Sequence, residues 1–409
     1  MKSSMKRLLI LMFTTEQWQA GKKIIETLIQ HGFEAVFVGG AVRDFVRNKV
    51  ANDIDIATSA LPSEVKTIFK KTVDLGIAHG TVLVIENHVP IEVTTFRTEG
   101  EYTDHRRPSD VEFVNSMEED LKRRDFTMNA LAMSADFQVI DLFDGQHDLH
   151  NGIIRTVGEP IERFKEDALR MLRAIRFTAQ LGFSIHHTTL EAIKLCANDL
   201  AYVSVERVSA ELEKIWLSTH LEKGMSYLEQ SDLAKHLPGD FQFEDARWKQ
   251  LGNPQNILVC WAFLCLLQEK PNGSHMASVF KLSNELKLQI IHLVQATQIR
   301  YERLFTIDDL YHFEENILVQ AELLTRVFCG DMEQMPTEMI VQRKQSLPIQ
   351  SIRELVISGQ DVMEWFNKPG GPWLGETLSR IEHAVLHQKV ENNATKLKEW
   401  VTNESNSEI

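Results

Sequence analysis

The stretch VFVGGAVRDFVRNKVANDIDIATS, residues 36–59, decides how the first third of the chain folds. It opens on an apolar run, turns at Gly39-Gly40, carries a charged helix-like segment, and ends on Asp53 and Asp55. The segments EAVFVG (34–39) and DIDIAT (53–58) read as strands, rich in β-branched residues beside a glycine turn. Side chains at i and i+2 of a strand share a face, so Asp53 and Asp55 are expected to project together while Ile54 and Ile56 enter the core. Two adjacent carboxylates repel and raise each other's pKa unless a cation lies between them. A Gly-Gly turn opening a helix offers backbone N–H groups to an anion, here with Arg43 on the first turn. A lone Asp-x-Asp is most often a solvated strand edge. A phosphate cradle beside a carboxylate pair is the layout of metal-assisted nucleotidyl transfer, with hard oxygen ligands suited to Mg²⁺.

Working outward, PSEVKTIFKK (62–71) reads as a helix with proline in its first turn. GTVLVIENHVPIEVTTF (80–96) reads as a hairpin around Glu86-Asn87-His88. On its second strand Glu92 and Thr94 face away from Ile91 and Val93, which makes Glu92 either a third carboxylate of the cluster or a solvent-facing strand residue. In LKRRDFTMNALAM (121–133) Asp125 is the expected N-cap of an apolar helix. Arg123 and Arg124 then stand at a helix N-terminus, where the dipole disfavours cations and an incoming triphosphate would account for them.

RFKEDALRMLRAIRFTAQLGF (163–183) predicts one amphipathic helix. At 100° per residue, Ala168, Leu172, Ile175 and Ala179 form an apolar stripe, and Asp167, Arg170, Arg173 and Arg176 fan over the opposite face. An Asp167–Arg170 i,i+3 pair on a solvated face is the bland account, worth only tenths of a kcal/mol. The sharper one is base selection. Cytosine and adenine each present an amino donor beside a ring-nitrogen acceptor; guanine and uracil present a carbonyl beside a ring N–H. A carboxylate that only accepts and a guanidinium that only donates therefore pair with C and A and clash with G and U.

The chain has 409 residues, 43% hydrophobic and 25% charged, enough for two to four domains of a soluble globular protein. Strand and helix signals mix up to about residue 155 and helical periodicity takes over after it, so the fold class is α+β, a mixed sheet with flanking helices followed by an all-helical remainder. The net charge of −14 argues against a protein that coats nucleic acid in general. It does not exclude RNA, because from Arg155 to Arg176 six Lys/Arg meet four Asp/Glu and reverse the sign locally. The four cysteines lack zinc or disulfide spacing, which points to a reducing cytoplasm. Cys260 and Cys265 lie in the apolar run ILVCWAFLCLL and read as core. His147-Asp148 falls in FDGQHDLHNG, read as a turn-rich loop without further metal ligands. MKSSMKRLLILMF has too short an apolar run for a secretory signal, and Met12 is the expected natural start. Nothing approaches a membrane span. The loops KPNGSH (270–275) and NKPGGP (367–372) punctuate the helical part, and VTNESNSEI reads as a frayed end.

Six runs, VGGAVRD, DIDIATSALP, VTTFR, EGEYTDHRRPSDVEFV, RRDFTMNALA and EDALRMLRAIRF, together resemble the bacterial class II CCA-adding enzymes of the polymerase-beta-like nucleotidyltransferase superfamily, in family order over about residues 36–180. The resemblance implies a sea-horse arrangement: an N-terminal extension (1–24), a nucleotidyltransferase head (25–155), a nucleotide-selecting neck (156–235), a helical body (236–330) and a tRNA-binding tail (331–409). It implies template-independent addition of C, C and A to the tRNA 3′ end from CTP and ATP, and repair of damaged ends. By motif, it implies that Asp53 and Asp55 hold catalytic Mg²⁺, that Gly40, Arg43 and Arg124 contact the triphosphate, and that Asp167, Arg170, Arg173 and Arg176 line the selecting helix. TEGEYTDHRRPSD (98–110) matches the family's flexible loop and argues against an enzyme that adds CC alone. The rivals are a poly(A) polymerase, a CC-only or A-only enzyme, and a non-enzymatic RNA-binding module. The resemblance also implies a homodimer.

Overall fold

The structure is a computed structural model and describes residues 15–51, 53–76, 80–99, 111–243, 246–330 and 335–407. The expected start at Met12 and most of the loop 98–110 lie outside the described residues. The chain divides into two compact units, residues 1–244 and 245–409.

In the first unit the strands β1 (Ala35–Val38), β2 (Asp55–Thr58), β3 (Thr72–Gly76), β4 (Thr81–Glu86), β5 (Val89–Thr95), β8 (Leu131–Met133) and β9 (Val139–Asp141) form a mixed sheet in the order β3-β4-β5-β2-β1-β8-β9. The pair β6 (Arg97–Glu99) and β7 (Val111–Phe113) stands apart. β1 is central and buried along its whole length, because both faces are covered. Phe37 meets Trp18 of the helix Glu16–Gln30 at 4.9 Å between ring centroids, and Gly21 of that helix lies so close that a Cβ would come within 2.6 Å of the Phe37 ring. Val36 and Val38 point the other way, into a cluster with Ala57, Phe96, Leu121 and Ala132. The hairpin turn expected near 86–88 is present, with Asn87 and His88 both at positive φ, as a tight two-residue turn requires.

Three local expectations are corrected. FTMNALAM is not a helix: it is a 3₁₀ turn, Thr127–Asn129, followed by strand β8, whose three residues are fully buried as an antiparallel partner of β1. Sheet pairing at the centre of the core outweighs the helical propensity of Ala, Leu and Met. Arg123 and Arg124 therefore follow the C-terminus of the helix Met117–Lys122, where the dipole favours cations, so the N-terminal argument fails. FDGQHDLHNG is not a loop but contains the helix Gly145–Asn151, its first turn held by Asp141, whose carboxylate accepts from Gly145 N and Gln146 N. Asp148 there is buried against Thr127 and Arg155.

The single helix expected over 163–183 is broken. One helix runs Pro160–Glu166 and a second Leu169–Leu181, with Asp167 between them in extended backbone (φ −146°, ψ 103°). Asp167 Oδ1 accepts from Leu169 N at 3.1 Å, a side-chain bond that competes with continuation of the first helix. The apolar stripe survives: Ala168, Leu172, Ile175 and Ala179 are fully buried. A strand pair too short to leave a period, β10 (Ile153–Ile154) with β11 (Ser184–Ile185), runs past residue 155.

The second unit is helical. The helix Ile257–Leu266 buries every residue from Leu258 to Cys265, including both cysteines. The helices Asn284–Glu302 and Glu315–Cys329 are joined by a buried pair, Arg300 Nε to Glu322 Oε2 at 2.6 Å. Beyond them, Val362, Ile381, Val385, Leu397 and Val401 form a further core. Val401 lies in the helix Ala394–Ser407, so the expected frayed end begins later than VTNESNSEI. Among the described residues no helix is long and apolar enough to cross a membrane.

Candidate functional site

Sheet register assembles the first part of the site. β1 and β2 are antiparallel with Val38 opposite Asp55, so the turn leaving β1 lies beside the carboxylate that begins β2. β2 and β5 are parallel with Asp55 opposite Glu92, which brings a second carboxylate alongside. Asp53 precedes β2 and is exposed, so the shared-face argument, which needs both residues in one strand, is replaced by a turn that still leaves the two charges coupled. Burial pushes the Asp55 carboxyl above its ordinary value, Glu92 and Asp53 add to the push, and Arg124 opposes it. Three acids with one opposing cation and all-oxygen donors fit a hard divalent ion.

Gly39 has φ 73° and ψ −141°, a conformation that glycine adopts without the Cβ penalty. A Cβ there would stand 3.4 Å from Arg124 Nη1 and 3.5 Å from Asp55 Oδ2, so the backbone itself lies between the arginine and the carboxylate. The helix Gly40–Val46 starts at the next residue and carries Arg43.

This turn opens onto a cleft of about 580 Å³ lined by Gly39, Gly40, Asp125, Asp167, Phe177 and eight arginines, at 43, 97, 123, 124, 170, 173, 176 and 207. The cleft collects seven of the nine residues singled out from the sequence, Gly40, Arg43, Arg124, Asp167, Arg170, Arg173 and Arg176. Asp55 lies beside the lining Gly39, and Asp53 is within electrostatic reach of Asp55.

Two networks hold the arginines in place. Arg43 grips Asp44 through two bonds and donates to Asn129 Oδ1 at 3.1 Å; Asn129 Nδ2 donates to Asp125, and Asp125 pairs with Arg173 at 2.6 Å. Burial alone would raise the Asp125 carboxyl, but the Arg173 guanidinium and the Asn129 amide hold it below its ordinary value. In the second network, buried Asp120 bridges Arg123 and Arg124, which pull its carboxyl down against the effect of burial. Arg170 Nη2 donates to the Arg123 carbonyl at 3.1 Å, and Nη1 pairs with Glu166. Arg170 is thus buried rather than fanned over a solvated face, being only 7% exposed. Arg124 Nε is buried with no hydrogen-bond partner among the described residues.

The helix Val205–Trp216 supplies what sequence reasoning missed. Its Arg207 pairs with Asp167 Oδ2 at 2.7 Å and its Glu211 with Arg176 Nε at 2.6 Å. Their i,i+4 spacing was visible, but it reads as a mutual pair; only packing reveals that both reach another helix. Glu166 was legible in the same way, four residues before Arg170. Asp120, Asn129 and the pairing role of Asp125 carry no signal in spacing. Arg176 lies 4.1 Å over the Phe177 ring, and Arg43 and Arg173 flank it at 5.6 Å.

Against known families, residues 35–155 match the Poly A polymerase head domain, and 253–401 match a tRNA nucleotidyltransferase domain 2. The chain is 44% identical to the CCA-adding enzyme of Geobacillus sp. (strain WCH70), over 94% of this chain and 97% of that protein. It is equally similar, at 44% with 94% and 97% covered, to the CCA-adding enzyme of Anoxybacillus flavithermus. Its fold superposes on the crystal structure of the Bacillus stearothermophilus CCA-adding enzyme in complex with CTP with a TM-score of 0.84, at 37% identity and covering 97% and 99% of the two chains. On identity sustained over nearly its whole length, the chain belongs to the CCA-adding enzymes.

Proposed function

We propose that the arginine-lined cleft binds CTP or ATP with its triphosphate toward Gly39-Gly40 and its base toward Asp167 and Arg170. As a CCA-adding enzyme the chain adds C, C and A to the 3′ end of tRNA and releases pyrophosphate. The observation that carries the residue assignment is the raised Asp55 carboxyl, set beside a glycine turn at the edge of a cleft holding eight arginines. Poly(A) synthesis, which the head domain alone would also suit, is disfavoured by full-length identity to CCA-adding enzymes.

Dependence on a divalent metal comes with this nucleotidyltransferase family. We assign Mg²⁺ from the all-oxygen donor set, held by Asp53 and Asp55, with Glu92 within electrostatic reach. When bound there, the ion supplies charge neutralisation at the triphosphate and acidifies the attacking 3′-hydroxyl. The protein's own groups do the positioning. Arg43 and Arg124 line the cleft beside the glycine turn and are the groups assigned to the triphosphate. The first-turn N–H groups at Gly40 face the same anion. Asp167 accepts and Arg170 donates, which matches the hydrogen-bonding edges of C and A and leaves those of G and U unpaired. Rejection on those grounds is strong because buried polar groups without partners are costly.

The division into head (25–155), neck (156–235), body (236–330) and tail (331–409), a cytoplasmic location, repair of damaged tRNA ends and a homodimer belong to this proposal. The test is incorporation of single nucleotides into tRNA lacking its CCA end, with pure protein and Mg²⁺. Addition that stops after C, C and A supports the reading; a long A tail, or G and U taken as readily as C and A, overturns it. Asp53→Ala and Asp55→Ala are expected to abolish addition, and substantial residual activity in either sinks the carboxylate assignment.

A further inference from the structure

In the second unit, two histidines and an aspartate from separate helices meet at one point. Asp308 is on the helix Ile307–His312; His383 is on the helix Pro372–Leu386, and His387 is its C-cap. Residues four apart share a helix face, and the two imidazole centroids are 4.2 Å apart with planes inclined by 31°. His387 Nε2 lies 2.8 Å from Asp308 Oδ1, and one ligand atom from each of the three residues lies within 4.8 Å of the others. Two donors each about 2.1 Å from a tetrahedral ion sit about 3.4 Å apart, so the set has to close by no more than about 1.4 Å.

The backbones beneath are already fixed. Tyr311 donates to Glu382 across the same two helices. Ile381, Ala384 and Val385 anchor the histidine helix in the core, and the Thr306–Asp309 capping box and buried Leu310 hold the other. The donor set differs in kind from that of the head: two imidazoles and one carboxylate suit Zn²⁺ and its neighbours, whereas an all-oxygen set suits Mg²⁺. Asp308 is 57% exposed at its side chain, which leaves room for water to complete the coordination.

We propose that Asp308, His383 and His387 form a second metal site, which takes one Zn²⁺-class divalent cation and ties the helix 307–312 to the helix 372–386. The test uses full-length protein stripped with chelator, held in excess Mg²⁺ and titrated with Zn²⁺, and with Co²⁺ as a visible probe of imidazole ligation. The expected result is one equivalent of Zn²⁺ bound by the wild type with a rise in melting temperature. Affinity is expected to fall at least about tenfold in His383→Gln and His387→Gln, with loss of the Co²⁺ absorption. His383→Gln leaves the His387–Asp308 contact intact and so separates metal binding from that contact. His383→Cys restores a soft ligand and is expected to retain Zn²⁺ binding, which a merely structural histidine would not explain. Equal Zn²⁺ stoichiometry and affinity in the wild type and both glutamine variants overturns the proposal, as does a wild type that binds none.

Discussion

At the scale of the residue, Asp55 is a raised acid beside the glycine turn. It keeps its proton to higher pH in the fold than in the unfolded chain, because burial and its acidic neighbours disfavour the charge. Its contribution to stability is therefore full below the unfolded value of about 3.9 and is lost as pH rises through the folded value. Asp55→Asn is expected to raise the metal-free melting temperature at neutral pH, with the gain vanishing at about pH 3.5, while nucleotide addition drops at least about a hundredfold. Melting curves across pH with chelator present check the first part and incorporation assays the second. Asp125 runs the other way. Its lowered carboxyl contributes stability above the unfolded value, and that contribution is lost as pH falls through the folded one.

At the scale of the element, the helix Leu169–Leu181 serves two purposes on two faces. Its apolar stripe fixes the helix, and the cost of hollowing that stripe is expected to follow the packing: Ile175→Ala, at a fully buried position, should cost about 2–5 kcal/mol in urea unfolding. Its polar face is held by Glu166 and Asp125, and the helix Val205–Trp216 adds Glu211 to Arg176 on it and Arg207 to Asp167 in the break just before it. Arg207→Ala leaves Asp167 without that anchor. The expected outcome is increased incorporation of G or U relative to C, with CTP turnover reduced by less than about tenfold. Single-nucleotide assays check it, and unchanged selectivity would remove Arg207 from the positioning set.

At the scale of the whole molecule, an acidic chain of net charge −14 concentrates eight arginines in one cleft. Such segregation costs self-repulsion, which the buried acids Asp120, Asp125 and Glu211 offset. The second unit has its own buried pair, Arg300 with Glu322, and Glu322 also accepts from Met335 N. Glu322→Gln strips the charge from one partner of a pair that is 2% exposed on each side and is expected to cost about 3–5 kcal/mol. Calorimetry is expected to show the loss in the unfolding of residues 245–409, with CTP binding at the first-unit cleft retained.

What the sequence determined by itself was whatever depends on chain neighbours. The Gly39-Gly40 turn, the apolar stripe of 168–179 and the hairpin at 87–88 follow from spacing and local turn chemistry, whereas the pairing of Asp53 with Asp55 does not rest on a strand period, because Asp53 precedes β2. Six motifs in order did the same for the family. Tertiary structure alone decided the rest. FTMNALAM became a strand because β1 needed a partner. The helix broke at Asp167 because that side chain bonds forward to Leu169 and across to Arg207. Arg170, which the helical period places on the polar face, is buried because the Arg123 carbonyl and Glu166 satisfy it. Each of these outcomes turns on a partner distant in the chain, or on a side chain competing with its own backbone, and neither leaves a period in the sequence. The glycine turn and the acids near it were therefore legible as candidates from the residues, whereas the scaffold that holds the arginines was not.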